Sequence, residues 1–423
     1  MMEKILEKLR SIWKTEEIRK KIIFSFIIMI VYRILSAIPV SGIPANAIKK
    51  LFEGTGVGDI LSTVSGGVLE TASIVAIGLT PYINASIIFQ LLGTVIPKLE
   101  ELQNEGPDGR RRISMYTRLL TVPLAILQSF VIYSSLLAMG LIPKLGTLEL
   151  VAMSGTLTAG SVVMMWFGEL MSESGLGGGS SALIMLGILS GIPGTVRSNF
   201  LDLDGLEKSL FVLFSIILLF SVIYITQGER RVKIQYSRRV RTGGAMESYI
   251  PIKATQSGVM PVIFAMSFIS FPQLIGKFLV EKNFNEGLTK FIQQILDWLS
   301  NSYIYNSVVF VLVVAFSFFY LSVVFKTDEL AENLQKQGAF IQGIRPGENT
   351  AEYLRKVSLR LTVLGALFLG VLSILPDIVT KFIDPSSRPV FSGTGLLIVI
   401  GVVLEIKRQV GSMMTVRSYN KYL

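Results

Sequence analysis

Apolar residues in this chain come in long uncharged blocks of about 16 to 28 residues, parted by shorter polar stretches and without a two-residue alternation. About 20 helical residues at 1.5 Å rise cross the ~30 Å hydrocarbon layer, so each block predicts a membrane span. The blocks lie near 22–41, 72–96, 119–139, 150–171, 181–196, 209–227, 256–276, 303–325, 358–376 and 391–408, which gives ten. Helices rather than strands follow, because a spanning backbone must satisfy its own hydrogen bonds.

Composition agrees: 51% of the 423 residues are hydrophobic and only 17% are charged. Charge then fixes the expected orientation. The N-terminal tail and every second loop after it, through to the C-terminal tail, carry about three quarters of the 40 Lys and Arg, so both termini are expected in the cytoplasm. The loop before 181 has no basic residue and departs from the pattern. Within residues 1–21, Ile5, Leu9, Ile12 and Trp13 share one helical face, which suits a cytoplasmic amphipathic helix along the interface.

Cys and His are both absent. Thiol chemistry, disulfides, and imidazole bases or metal ligands are thereby excluded, and no catalytic residue, metal site or cofactor is expected. No GxxxxGK[ST] run occurs, so the chain cannot drive transport by binding a nucleotide in a P-loop. Gly56-Val57-Gly58-Asp59 resembles an intramembrane aspartyl protease motif, but a carboxylate dyad needs a second Asp in a span, and none is present. Ionisable groups inside the spans are few, namely Arg33, Glu169 and Glu405, with Arg360, Lys407 and Arg408 at the very ends of theirs, and the proline-broken spans hold none, which weighs against ion-coupled transport.

Ten spans divide five and five, and an odd number per half makes the halves inverted repeats. Residues 22–200 form the expected first half and 201–423 the second. Span two holds Gly78-Leu79-Thr80-Pro81-Tyr82-Ile83, and span seven holds Gly258-Val259-Met260-Pro261-Val262-Ile263. Proline removes a backbone donor and crowds the preceding turn, so both helices should bend or open there, at equivalent places. Paired breaks point to a pathway between halves.

Two loops on the basic side are long. Residues 228–255 hold Arg230, Arg231, Lys233, Arg238, Arg239, Arg241 and Lys253, and 231–236 alternate like a strand before Gly243-Gly244, which predicts a basic hairpin. Residues 326–356 include Gly343-Ile344-Arg345-Pro346-Gly347. On the opposite side, glycines flank the short apolar stretch Ile60, Leu61 and Val64, which predicts a small hinged helix.

The run from Gly78 to Leu92, GLTPYINASIIFQLL, resembles the second helix of the SecY family, the channel subunits of the bacterial Sec protein translocase. Tyr32-Arg33, Ile38-Pro39-Val40, Gly109-Arg110-Arg111, Gln227-Gly228-Glu229-Arg230-Arg231, Gly258-Val259-Met260-Pro261, Ala331-Glu332-Asn333-Leu334 and Leu396-Leu397-Ile398-Val399 extend the resemblance over nearly the whole chain.

The resemblance implies an all-α membrane protein of ten helices in two inverted halves. Such a protein moves unfolded polypeptides across the cytoplasmic membrane and releases membrane segments sideways into lipid. It implies a pore ring of Leu79, Ile83, Ile184, Ile263 and Ile398, and a plug at about 59–69 that includes Asp59, Ile60, Leu61 and Val64. A lateral gate between spans two and seven would present Thr80, Asn84, Gln90, Gln128, Ser267 and Phe271. The implied partners are SecE, SecG, the motor ATPase SecA, the ribosome, signal-peptide-bearing substrates and the lipid bilayer. Arg345 and the basic hairpin would meet the motor or the ribosome. Three positions depart from the family pattern: Leu79 stands where Ile is common, Gly178 where Asn is usual and Gly395 where Ser is usual. The alternative reading is a secondary transporter of a small solute.

Overall fold

The computed structural model describes residues 13–40, 73–138, 140, 142–202, 205–236, 248–256, 258–282, 286–383 and 393–420. Each of the ten hydrophobic blocks contributes most of its length to a helix of its own. In chain order the elements are α1 (Glu16–Ala37), α2 (Thr80–Val95), α3 (Pro97–Asn104), α4 (Pro107–Ala138), α5 (Thr147–Ser174), α6 (Gly179–Asp202) and α7 (Gly205–Thr226). Strands β1 (Glu229–Tyr236) and β2 (Ser248–Lys253) follow, then α8 (Met260–Lys282), α9 (Glu286–Ser300), α10 (Ser302–Val324), α11 (Thr327–Lys336), β3 (Ala339–Ile341), α12 (Glu348–Ile383) and α13 (Gly393–Asn420). Among the described residues, five helices are individually long and apolar enough to cross a membrane, and the pair α2 and α3 makes a sixth, bent by 104°.

Local chemistry sets the ends. A residue before proline is pushed out of the helical region, and α1 stops at Ile38 (φ −85°, ψ 115°) before Pro39 while α2 stops at Ile96 (φ −99°, ψ 111°) before Pro97. Glu16 and Glu17 occupy the first turn of α1, where the helix dipole favours negative charge. At the start of α5 the Gly146 amide donates to the Glu149 carboxylate at 3.0 Å, satisfying a donor that lies before the intrahelical ladder.

The chain divides into two compact units. The first comprises residues 1–201, 266–305 and 398–423. In it α2 packs against α4 and α5, α4 against α5, and α1 against α5. Val40, Ala76, Ile77, Val131, Ile132, Leu136, Ile142, Met153 and Leu157 form one buried cluster under the segment that leads into α2. That segment is pinned to the end of α1: Pro39 bridges Ser73, and the Ile74 amide donates to the Ile38 carbonyl at 3.0 Å.

The second unit comprises residues 202–265 and 306–397. Its polar end is a three-stranded antiparallel sheet in the order β2-β1-β3. The expected hairpin forms, with Arg231 opposite Pro251 and Ile234 opposite Ser248; its tip lies outside the described residues. The second long loop adds β3, which pairs Ile234 with Ile341 and Tyr236 with Ala339. Val232, Ile234, Ile252, Leu334, Ala339, Ile341, Leu354 and Val357 make one core beneath the sheet, so the two loops fold as a single small domain on α11 and the start of α12. Deeper in the unit, Phe264 meets Phe316 and Tyr320 edge to face at centroid distances of 6.2 and 5.8 Å.

Candidate functional site

The two Gly-x-x-Pro motifs do not kink continuous helices. They start helices partway along a hydrophobic block. Residues 74–79 are turns, Gly78 has φ 60°, and α2 begins at Thr80. Residues 254–256 and 258–259 are likewise turns, Gly258 has φ 61°, and α8 begins at Met260. Only glycine adopts such a φ without a Cβ penalty. Pro81 and Pro261 then sit in the first helical turn, where an absent N–H costs nothing and the fixed φ is already helical. The first ladder bonds are equivalent too: the Ile83 amide reaches the Leu79 carbonyl at 2.9 Å, and the Ile263 amide reaches the Val259 carbonyl at 3.3 Å.

Each start is held by a glycine on a later helix. A Cβ on Gly160 of α5 would lie 2.7 Å from the Ile74 carbonyl carbon, and one on Gly365 of α12 would lie 2.9 Å from the Ala254 carbonyl carbon, nearer still to each oxygen. Ile74 and Ala254 both stand six residues before the first residue of their broken helix. Each unit therefore carries the same device, with backbone against backbone where a side chain would not fit. In the first unit the next residue adds a lock, because the Ser161 hydroxyl donates to the Gly78 carbonyl at 2.9 Å. Sequence reasoning missed Gly160, Ser161 and Gly365. The available signal was a small residue on spans four and nine, the inverted-repeat counterparts of one another.

The residues proposed from sequence for a pore ring are all buried. In the first unit Leu79 and Ile83 flank the start of α2, Ile184 lies on α6 and Ile398 on α13; Ile263 is on α8 in the second unit. Asp59, Ile60, Leu61 and Val64 lie outside the described residues. Of the gate candidates, Thr80, Asn84, Gln128 and Ser267 are buried, and Gln90 is half-buried toward the far end of α2. Phe271 is on α8. The hydroxyls of Thr80 and Ser267 are buried without a hydrogen-bond partner among the described residues, an uncommon and costly arrangement.

The Gly-rich link before α6 is tied at both ends of the first unit. The Leu176 amide donates to the Ser25 hydroxyl of α1 at 3.0 Å, and the Gly177 amide to Gln409 Oε1 of α13 at 2.6 Å. Gly178 leaves room beside the Glu405 carboxylate, which stands 3.5 Å from where a Cβ would be. The Ala182 amide bonds the Gly178 carbonyl at 2.8 Å, so α6 starts on an uninterrupted ladder that carries Ile184. Arg118 of α4 donates to Glu169 of α5 at 2.7 Å, so two of the charges on these helices neutralise each other.

On the sheet, Arg230 and Arg231 are exposed and Lys253 is half-buried. Arg231 bonds Glu229 at 2.9 Å and lies 4.8 Å from the Tyr249 ring centroid, and the Glu229 carboxylate holds its guanidinium above the usual pKa. Arg345 is exposed in a turn bounded by Gly343 (φ 81°) and Gly347 (φ 98°), its carbonyl held by the Thr350 hydroxyl at 3.0 Å. Arg238, Arg239 and Arg241 lie outside the described residues. No group of three or more acidic side chains able to hold a metal occurs among the described residues.

The SecY family model matches residues 73–407, a stretch that contains both broken helices, the sheet and α12. The chain belongs to the SecY family. It is 36% identical to the protein translocase subunit SecY of Streptomyces scabiei, an alignment covering 97% of this chain and 98% of the relative. It is also 36% identical to the SecY subunit of Mycobacterium tuberculosis, again over 97% and 98% of the two chains. Its fold superposes on a structure described as that of a protein conducting channel with a TM-score of 0.70, at 20% identity, over 93% of this chain and 91% of the other. Sec61 in a canine ribosome-channel complex gives a TM-score of 0.66 at 20% identity, with the same coverage. SecY membership makes this chain a non-catalytic, multi-pass membrane subunit of a protein-conducting channel. It also sets aside the small-solute transporter.

Proposed function

We propose that unfolded polypeptide passes this SecY chain through an aliphatic constriction of Leu79, Ile83, Ile184, Ile263 and Ile398. The observation that carries the reading is the matched pair of helix starts. Two glycine-hinged, proline-led helices, each wedged by a glycine from a later helix, bring Leu79 and Ile83 in one unit and Ile263 in the other to equivalent positions. Branched aliphatic side chains offer a passing chain no hydrogen bond to hold it, and a narrow ring of them excludes water and ions by dewetting. The segment 59–69 acts as the plug. The hydroxyls of Thr80 and Ser267, partnerless among the described residues, with Asn84, Gln90, Gln128 and Phe271 on or beside the same helices, fit a gate whose faces part to admit a signal sequence and its backbone polar groups.

Both termini and the sheet lie in the cytoplasm on this reading, supported by the excess of Lys and Arg on that side. Since the chain has no nucleotide-binding loop, the driving force comes from outside: SecA or a translating ribosome docks on Arg345 and the basic hairpin, with SecE and SecG alongside in the membrane. Exchange of Ile83 and Ile263 for Ser tests the constriction. The expected result is an increased ion leak through the idle complex in planar bilayers; unchanged conductance removes these residues from the seal.

A further inference from the structure

Helix α9 has no role in the reading above. Its apolar residues Leu288, Phe291, Ile292, Ile295, Leu296 and Leu299 recur at helical spacing, while Lys290, Gln293, Gln294 and Asp297 occupy the other side. One flank of the apolar stripe is used within the first unit: Ile292 and Leu296 stand 3.2 and 3.5 Å from where a Cβ of Gly276 on α8 would be. The other flank is exposed. Phe291 is 60% exposed, Ile295 42% and Trp298 57%.

Connectivity fixes the level of this flank. Consecutive spans deliver both ends of the linking segment to one face of the bilayer. Asn301 alone separates α9 from α10, with the Asn301 amide bonded to the Trp298 carbonyl at 3.3 Å and the Tyr305 amide to the Asn301 carbonyl at 2.9 Å. Trp298 is therefore about one helical turn from the point where α10 enters the hydrocarbon. Three residues separate α8 from the other end. A helix of 15 residues is about 22 Å long, and with both ends held at one boundary it lies along that boundary rather than rising from it. Trp298, and Tyr303 at 86% exposed, match the aromatic belt that such a level favours.

We infer that α9 is an interfacial lipid-binding helix, seated in the headgroup layer of the non-cytoplasmic leaflet with Phe291, Ile295 and Trp298 in the acyl boundary. The helix carries one basic residue, Lys290, against the acidic Glu286 and Asp297, and its polar side adds neutral Gln293 and Gln294. Seating thus depends on apolar area and not on anionic headgroups. This surface rests on the membrane topology of the family and not on the constriction or the gate. Its consequence is mechanical: α9 ties the Gly276 region of α8 to the lipid surface.

The test uses the full translocase in lipid nanodiscs, with Trp13→Phe and Trp166→Phe leaving Trp298 as the only indole of this chain and any indole of the other subunits replaced by Phe. Phosphatidylcholine brominated near the headgroup end of its chains is expected to quench Trp298 several-fold more than aqueous iodide does, and equally whether or not phosphatidylglycerol is added. Preferential iodide quenching, shielding from both quenchers, or quenching that requires phosphatidylglycerol overturns the inference. Because the natural chain lacks cysteine, spin labels on Ile295→Cys and Gln293→Cys give a second reading that leaves every tryptophan in place. Oxygen in the bilayer should reach position 295 and an aqueous nickel chelate position 293. Equal access at both, or protein shielding of position 295, is the contrary result.

Discussion

Replacing Gly160 by Ala adds one methyl group where α5 touches the backbone of Ile74. The new carbon would stand 2.7 Å from the Ile74 carbonyl carbon and 3.3 Å from the Val75 Cα. Carbon atoms pack best at about 3.5 to 4.0 Å, so the helix and the turn must separate by roughly 1 Å. Overpacking of this kind costs about 1–3 kcal/mol, and stretching the Ser161 to Gly78 hydrogen bond adds about 1 kcal/mol. Up to about 1 kcal/mol returns from the better helix propensity of Ala. A net cost of about 1–3 kcal/mol falls on the closed arrangement of Gly78 and Leu79, which raises the open fraction by about 5- to 150-fold. The assay is ion conductance of the purified, substrate-free translocase in planar bilayers, with thermal melting in parallel. Gly155→Ala on the same helix meets nothing within 4 Å and serves as the control. Gly365→Ala should leak as well, but less, since Ala366 stands where the first unit has Ser161 and carries no hydroxyl. If Gly160→Ala leaks and melts like Gly155→Ala, the wedge does not hold the helix start.

Other expectations concern the sheet and the charged pair. Arg345→Glu should cut motor-driven translocation by about tenfold or more while leaving ion conductance and melting unchanged, since the turn is held through its backbone. Ile234→Ala removes a side chain buried in the core that joins the two loops; a loss of about 2–4 kcal/mol should speed amide exchange of β1 and β3 together by 30-fold or more. Arg118→Ala leaves Glu169 uncompensated and should lower the melting temperature by an amount equivalent to about 1–3 kcal/mol. The double variant with Glu169→Gln should recover part of that loss.

Much of this architecture was legible in the sequence because membrane helices announce themselves twice, through apolar length and through the charge of the flanking loops. Each predicted block supplies most of one helix, yet two blocks begin in turns and several helices overrun theirs. Helix α4 starts at Pro107 and α12 at Glu348, each well before its apolar run, because Arg110 to Arg112 or Glu352 and Lys356 suit a solvated helix and hydropathy does not report them. The proline pair marked the breaks, but a proline read alone suggests a kink; it took the positive φ of Gly78 and Gly258 to turn the kink into a start. Strand β3 could not be read, since three residues carry no period and its partner Ile234 lies in a different loop. Gly160 and Gly365 were silent for a related reason: glycine is common in membrane helices, and only the neighbouring backbone shows which ones are needed. Helix α9 had a clear periodicity but was too polar to pass for a span.

The aliphatic constriction is tested most directly by trapping a polypeptide inside it. With no native thiol, Ile83→Cys and Ile263→Cys each place a single sulfur where the seal is proposed, and Leu213→Cys and Leu364→Cys, at side chains 55% and 66% exposed on α7 and α12, serve as controls. A secretory precursor stalled midway and carrying one cysteine along its translocating segment should form disulfide adducts at positions 83 and 263 and none at the controls. Adducts at the controls alone, or equal yields at all four positions, would contradict a path past Ile83 and Ile263.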